Sequence, residues 1–303
     1  MKIFLTGVTG YIGGSIATKL LEAGHALSGL ARSDEAAATL AKRGIEPVRG
    51  SLQDHGVLRG VGARVDAVIN TANADNAFAV HGLLPPLHGT GKTFIQTSGS
   101  SVVGTYDEGE FRDAVFTEDT PFRPEPEKAT RVAIDAQVLA ASRKGVRTVV
   151  IRPSLIYGRG IGVEGLSVQV PRLIEAAKAA RVPRHVGRGL NVWAHVHIAD
   201  VVALYLAALE KAPAGSLFYA EAGEASFKEM TQAIGRMLGH DERTQDWPIA
   251  EAVAALGPGA HLTFGSNSRV RGAKARAMLG WTPKGPPLFE EIERGAYREA
   301  YGT

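Results

Sequence analysis

Nine residues near the start of the chain, TGVTGYIGG at positions 6–14, carry Gly7, Gly10 and Gly13 at a spacing of three. They follow an apolar run, KIFLT (2–6), and lead into a segment that places Ile12, Ile16 and Leu20 on one helical face. In a strand–turn–helix of this kind Gly7 permits the tight turn, Gly10 lets the backbone approach a ligand, and Gly13 lets the helix pack close to the sheet. The helix N-terminus then offers unpaired N–H groups and the positive end of its dipole, which suit a pyrophosphate. Thr9, Tyr11 and Ile12 complete the loop and are expected to meet the same group. The position between a strand and a helix favours dinucleotide binding over a turn that serves only itself.

Other stretches also carry side chains capable of chemistry. FIQTSGSSVVG (94–104) runs into Ser98, Ser100 and Ser101. PEPEKATRVAIDAQ (124–137) carries Glu127 and Arg131 where a helix is entered, and IRPSLIYG (151–158) ends near Tyr157. Tyr106 follows Gly104 in a loop from which it could swing inward. His195 and His197 alternate along a short extended segment, so one is expected to face the core. His81 and His88 are placed near the pocket rim by topology, without a visible partner. No His, Asp or Glu cluster has metal-ligand spacing, so no metal is expected. The serines lack the paired His and Asp of a hydrolase triad. The absence of cysteine excludes disulfides, thiolate metal sites and cysteine nucleophiles.

The elements that must position these residues follow from periodicity. Strands are predicted over 2–6, 25–31, 45–48, 66–70, 93–97 and 146–153, with helices over 11–23, 34–42 and 129–143. Strands alternating with helices imply βαβ units, right-handed crossovers and a doubly wound parallel sheet. After Pro153 the pattern loosens into glycine-rich loops, with helices near 167–180, 199–211 and 226–238 and a last helix beyond 280. The expected fold class is therefore α/β: a doubly wound parallel sheet with a smaller, discontinuous C-terminal lobe. Residues 1–155 and 192–222 would form the dinucleotide-binding domain, and residues 156–191 and 223–303 the substrate lobe.

With 303 residues, 45% of them hydrophobic and 21% charged, the chain can bury a substantial core. The net charge of +3 is spread along the sequence, and its densest basic run, RVPRHVGRG (181–189), reads as a solvated loop. No basic helix or basic–aromatic alternation points to nucleic acid. No apolar run reaches the roughly 18 residues that would span a membrane. The chain opens directly on KIFLT, without a charged and then apolar leader, so a cytoplasmic protein is expected.

The Thr-Gly-x-x-Gly-x-x-Gly loop, DAVINTANA (66–74), FIQTSGSSVVG, IRPSLIYG, WAHVHIADVV (193–202) and ARAMLGWTP (275–283) together resemble the extended and atypical short-chain dehydrogenases/reductases, the NAD-dependent epimerase/dehydratase superfamily. The resemblance covers almost the whole chain and implies a Rossmann fold. It also implies a nicotinamide cofactor and a small-molecule substrate, with a homodimer as a candidate assembly. It places Ala72, Ser98, Pro153 and Leu155 beside the cofactor. In GSLQD (50–54), Ser51 stands in place of the usual aspartate and Leu52 keeps the apolar contact to adenine. The second strand ends LSGLARSD (27–34), where the acidic residue that normally takes the ribose of NAD is replaced by Ala31 and Arg32. Arg32 and Ser33 would suit the 2′-phosphate of NADP, preferred over NAD, while Asp34 reads as the start of a helix.

The family works with Tyr-x-x-x-Lys on one helix. Aligning TRVAID (130–135) puts Arg131 at the lysine and Glu127 at the tyrosine, and the usual serine falls on Gly99. Arg131 would still hold a ribose hydroxyl. The proton donor would be a serine such as Ser100, or Tyr157, or bound water. Pocket walls are expected around Trp193, Trp247 and Phe264. The leading expectation is an NADP(H)-dependent oxidoreductase of a small carbonyl or alcohol. The alternatives are an NADP(H) sensor without turnover and, on fold alone, a sugar-nucleotide epimerase or dehydratase.

Overall fold

A computed structural model describes residues 1–302. The chain begins with β1 (Lys2–Thr6), α1 (Tyr11–Glu22), β2 (Ala26–Ala31), α2 (Asp34–Lys42), β3 (Glu46–Arg49), α3 (His55–Arg64), β4 (Ala67–Asn70), α4 (Ala77–Leu83) and β5 (Thr93–Thr97). There follow β6 (Phe116–Thr117), α5 (Pro126–Ala140), β7 (Arg147–Pro153), β8 (Leu155–Tyr157), α6 (Gln169–Ala180), β9 (Arg184–Val186), β10 (Val192–His197), α7 (Ile198–Lys211) and β11 (Ser216–Ala220). The remainder holds β12 (Gly223–Ser226), α8 (Phe227–Met237), β13 (Gln245–Trp247), α9 (Ile249–Leu256), α10 (Ala260–Phe264), β14 (Val270–Arg271), α11 (Ala273–Leu279), α12 (Leu288–Glu293) and α13 (Ala296–Tyr301).

Seven strands make one parallel sheet in the order β11-β7-β5-β4-β1-β2-β3. Their side chains alternate between two buried faces, as a sheet covered by helices on both sides requires. Ile3, Leu5, Ile69, Ile95, Val149 and Ile151 pack with α1, α7 and α11. Phe4, Val68, Phe94 and Val150 point the other way, against α3, α4 and α5. The strand order reverses between β1 and β4, and this is the crevice into which the glycine loop opens.

The smaller lobe is built on a three-stranded sheet, β12-β10-β8, with β8 parallel and β12 antiparallel to β10. Segment 192–222, expected to lie wholly with the large sheet, is divided: α7 and β11 join it, while β10 belongs to the smaller sheet. Two segments tie the lobes together. Tyr11 Oη donates to the Gly158 carbonyl at 2.9 Å, and Asp200 accepts the backbone N–H groups of Lys284 (2.7 Å) and Gly285 (3.0 Å). The Trp281 indole donates to the Asp200 carbonyl at 2.9 Å. The histidine–aspartate segment and the near-terminal tryptophan are thus structural fasteners between α7 and the end of the chain.

Helices α3 and α4 were not legible from periodicity. The first carries three glycines in HGVLRGVGAR, and the second has seven residues. Both are started by side chains that accept from the helix backbone, Asp54 from Val57 and Asn76 from Ala79. No helix among the described residues is long and apolar enough to cross a membrane.

Gly13 is the tightest glycine of the loop. A Cβ there would overlap both the Gly7 carbonyl and the Thr71 hydroxyl, well inside van der Waals contact. Gly13→Ala should therefore lower stability by about 1–3 kcal/mol and lower Tm in thermal denaturation. An unchanged Tm would show that α1 is free to move away from β1.

Candidate active site

Strands β5 and β7 end side by side, and the chain beyond each bends over the sheet. A cavity of about 340 Å³ lies there, between the glycine loop, α5 and the smaller lobe. Tyr11 and Ile12 border it from α1, and Ser98, Gly99, Ser100 and Ser101 from the end of β5. Lys128 and Arg131 line it from α5, Pro153, Ser154 and Ile156 from the β7–β8 junction, and Trp193 and Thr263 from the smaller lobe.

One buried carboxylate organises this wall. Asp135, 1% exposed, accepts from Ser98 Oγ at 2.8 Å and from Arg152 Nε at 2.9 Å. Burial raises its pKa, while Arg152 and the Ser98 hydroxyl pull it back down. The Arg152 guanidinium lies 5.5 Å from the Phe122 ring centre and 5.7 Å from that of Tyr219. Four residues before Asp135, hence on the same face of α5, Arg131 grips Asp75 through Nε (2.9 Å) and Nη2 (2.5 Å). Its Nη1 reaches Ser101 Oγ at 3.4 Å. Lys128, three residues earlier still, is half-buried and lines the same cavity. Burial lowers its pKa, and the Arg131 charge lowers it further against the opposing pull of Asp75 and Glu127.

The N-terminus of α1 fits an anionic cofactor. No side chain caps it and its first turn holds no acidic residue, so its leading N–H groups are free for phosphate oxygens. Gly7 takes a φ of +66° against Thr71, a cradle that a Cβ would fill.

The model of the NAD dependent epimerase/dehydratase family matches residues 3–218. The chain belongs to this family. It is 31% identical over 347 residues to the oxidase ucsJ of Acremonium sp, across 99% of this chain and 97% of the relative. It is 29% identical over 248 residues to the 2-alkyl-3-oxoalkanoate reductase of Stenotrophomonas maltophilia, across 75% of this chain and 70% of the relative. Among solved structures, the dTDP-glucose 4,6-dehydratase of Bacillus anthracis in complex with NAD matches with a TM-score of 0.78 at 19% identity. That match covers 99% of this chain and 96% of the other, and shows a shared fold.

For an epimerase/dehydratase-family chain, the site departs from expectation at β8. Tyr157 is not available as a donor: it is 2% exposed, and its hydroxyl donates to the Pro286 carbonyl at 2.7 Å. Leu155 is fully buried, packs in the core of the smaller lobe and does not line the cavity. The reason is strand parity. Leu155 and Tyr157 share one face of β8, so Ser154 and Ile156 are the residues that reach the cavity. The same period corrects the histidines. His195 and His197 are two apart, so both lie on one face, flanking the Tyr157 ring at 5.5 and 5.4 Å. His81 and His88 lie away from the site, on a separate cavity near the C-terminal end of α5. Of the three expected aromatic walls only Trp193 lines the cavity; Trp247 and Phe264 pack in the core of the smaller lobe.

Ser33 caps α2, accepting from the Ala36 N–H at 3.1 Å, and Asp34 is the first helical residue. Arg32 and Thr9 are exposed at their turns. Leu52 packs at the edge of the core, and the Ala72 N–H donates to Thr6 Oγ1 at 3.3 Å. Helix α5 begins at Pro126 rather than Ala129, which brings Glu127 and Lys128 into its first turn. Glu127 is exposed and accepts a short hydrogen bond from Tyr106. That bond pushes the Tyr106 pKa up to about 12 and keeps the phenol at the rim. The family spacing assigns Lys128 no role, because setting it at the lysine position puts Pro124 at the tyrosine. The usable signal was its spacing of three from Arg131, which puts both on one helical face.

Asp135→Ala would leave the Arg152 charge buried without its partner, so unfolding in denaturant should show a loss of about 3–5 kcal/mol. A loss within the ordinary surface range of about 0.5 kcal/mol would mean that water, not Asp135, compensates Arg152.

Proposed function

We propose that the protein is a cytoplasmic NADP(H)-dependent reductase of small carbonyl compounds. The carrying observation is the cavity at the carboxyl ends of β5 and β7, where a row of serines, Arg131 and Lys128 converge beside the anion-ready N-terminus of α1. Its volume of about 340 Å³ sits at the low end for ligand sites.

Gly7, Gly10 and Gly13 would seat the pyrophosphate, with the N–H groups of Tyr11 and Ile12 turned toward it. Leu52 would lie under the adenine. Arg32 has no acidic partner among the described residues, whereas Arg49, its neighbour on β3, is paired with Asp34 at 3.0 Å. The free guanidinium is the natural partner for a 2′-phosphate. When bound, reduced nicotinamide supplies hydride. Arg131, already anchored by Asp75, would turn its remaining N–H groups to a ribose hydroxyl. Ser101, whose oxygen faces Arg131, keeps its own proton free to hold a substrate carbonyl oxygen. The kinship with a named 3-oxoalkanoate reductase supports a reductive direction.

Arg32→Ala should weaken NADPH binding about 10-fold or more, the scale of one hydrogen bond to a charged group, and leave NADH binding unchanged. Fluorescence titration of both cofactors reads this directly. Equal loss for both would remove Arg32 from the 2′-phosphate. NADPH oxidation across aldehydes, ketones and 3-oxo acids tests the activity, and tight binding of both redox forms with no consumption would instead support a sensor.

A further inference from the structure

We propose that Lys128 is the catalytic acid of this pocket, delivering a proton from Nζ to the carbonyl oxygen as it is reduced. The proposal rests on the reductase reading above. It replaces the absent tyrosine with a residue one position further along α5.

Four observations carry it. First, Lys128 lines the same cavity as Ser98–Ser101 and Pro153. Second, its ammonium has no hydrogen-bond or ion-pair partner among the described residues, while the neighbouring cation, Arg131, is held by Asp75 through Nε and Nη2. Third, the other acids are committed. Tyr157 donates to Pro286, Tyr11 donates to the carbonyls of Tyr157 and Gly158, and Tyr106 donates to Glu127 at the rim. Fourth, a guanidinium such as that of Arg131 does not serve as a proton donor in proteins.

The charged groups facing Lys128 are Glu127 and Arg131 on its own helix and Asp75 from the loop after β4. Desolvation and Arg131 together make its ammonium a stronger acid than a free lysine, a change in the direction that favours proton donation. In the step, the carbonyl carbon gains hydride from the reduced nicotinamide. The C=O π pair becomes the new O–H bond to the proton leaving Nζ. The products are an alcohol, the oxidised nicotinamide and a neutral amine, which regains its proton from water.

The test combines a titration that needs no turnover with kinetics. Reductive ¹³C-methylation of the lysines, with Lys128→Arg used to assign the signal, gives the Lys128 pKa by NMR in the protein without cofactor. The signal should titrate below the ordinary lysine value of about 10.4. Lys128→Met and Lys128→Arg should both lose about 100-fold or more in kcat, with NADPH binding by fluorescence nearly unchanged. In the native protein kcat should fall as pH rises through the value read by NMR, because the acid is then deprotonated. Retained activity in Lys128→Arg, which keeps the charge but not the acid, would overturn the role, as would an ordinary titration of the signal. If the native protein binds NADPH but reduces no carbonyl, the reductase reading fails and takes this role with it.

Discussion

Asp135 joins three pieces of backbone at the cavity: the end of β5 through Ser98, the end of β7 through Arg152, and α5 through its own position. Removing two charges from water costs several kcal/mol per ion, and pairing repays this only with good geometry and further hydrogen bonds. Here the geometry is supplied by the Ser98 hydroxyl, the Tyr219 hydroxyl 3.2 Å from Arg152 Nη1, and two aromatic rings near the guanidinium. Such a pair contributes more to position than to net stability. It fixes the rotation of α5, and with it the face that carries Arg131 and Lys128.

The electrostatics of the cavity follow from that rotation. Two cations share one helical face, and only one of them is neutralised. Asp75 takes Nε and Nη2 of Arg131, which turns a mobile charge into a fixed donor with Nη1 left toward Ser101. Lys128 is left with burial and a like-charged neighbour, two effects that both favour its neutral form. The serines around it are held in turn. Ser98 is bound to Asp135, and Ser100 Oγ accepts from Ser268 Oγ at 2.8 Å. A wall of oriented hydroxyls beside one under-compensated ammonium is a preorganised polar surface of the kind that carbonyl reduction uses.

Much of the scaffold was legible in the sequence because it rests on short-range rules. The glycine loop, the alternation of apolar strands with helices and the doubly wound parallel class of the large sheet all follow from spacing and crossover handedness. What was hidden depended on choices that spacing leaves open. Strand parity after Pro153 is such a choice: the resemblance points to Leu155 and Tyr157, whereas Ser154 and Ile156 line the cavity. The start of α5 is another: Pro126 is well placed in a first turn, and the extra turn it provides brings Lys128 inward. The Asp135–Arg152 pair joins positions 17 residues apart across two elements, and no local pattern marks it. Helices α3 and α4 escaped because glycine content and shortness weaken the periodic signal.

The most direct measurement is a crystal structure with NADP+ bound. The account predicts an ordered nicotinamide ring inside the cavity bounded by Ser98–Ser101 and Pro153, with Lys128 Nζ on the wall that faces it and Arg131 still held by Asp75. A nicotinamide lying outside that cavity, or Lys128 turned out to solvent with the cavity closed, would contradict it.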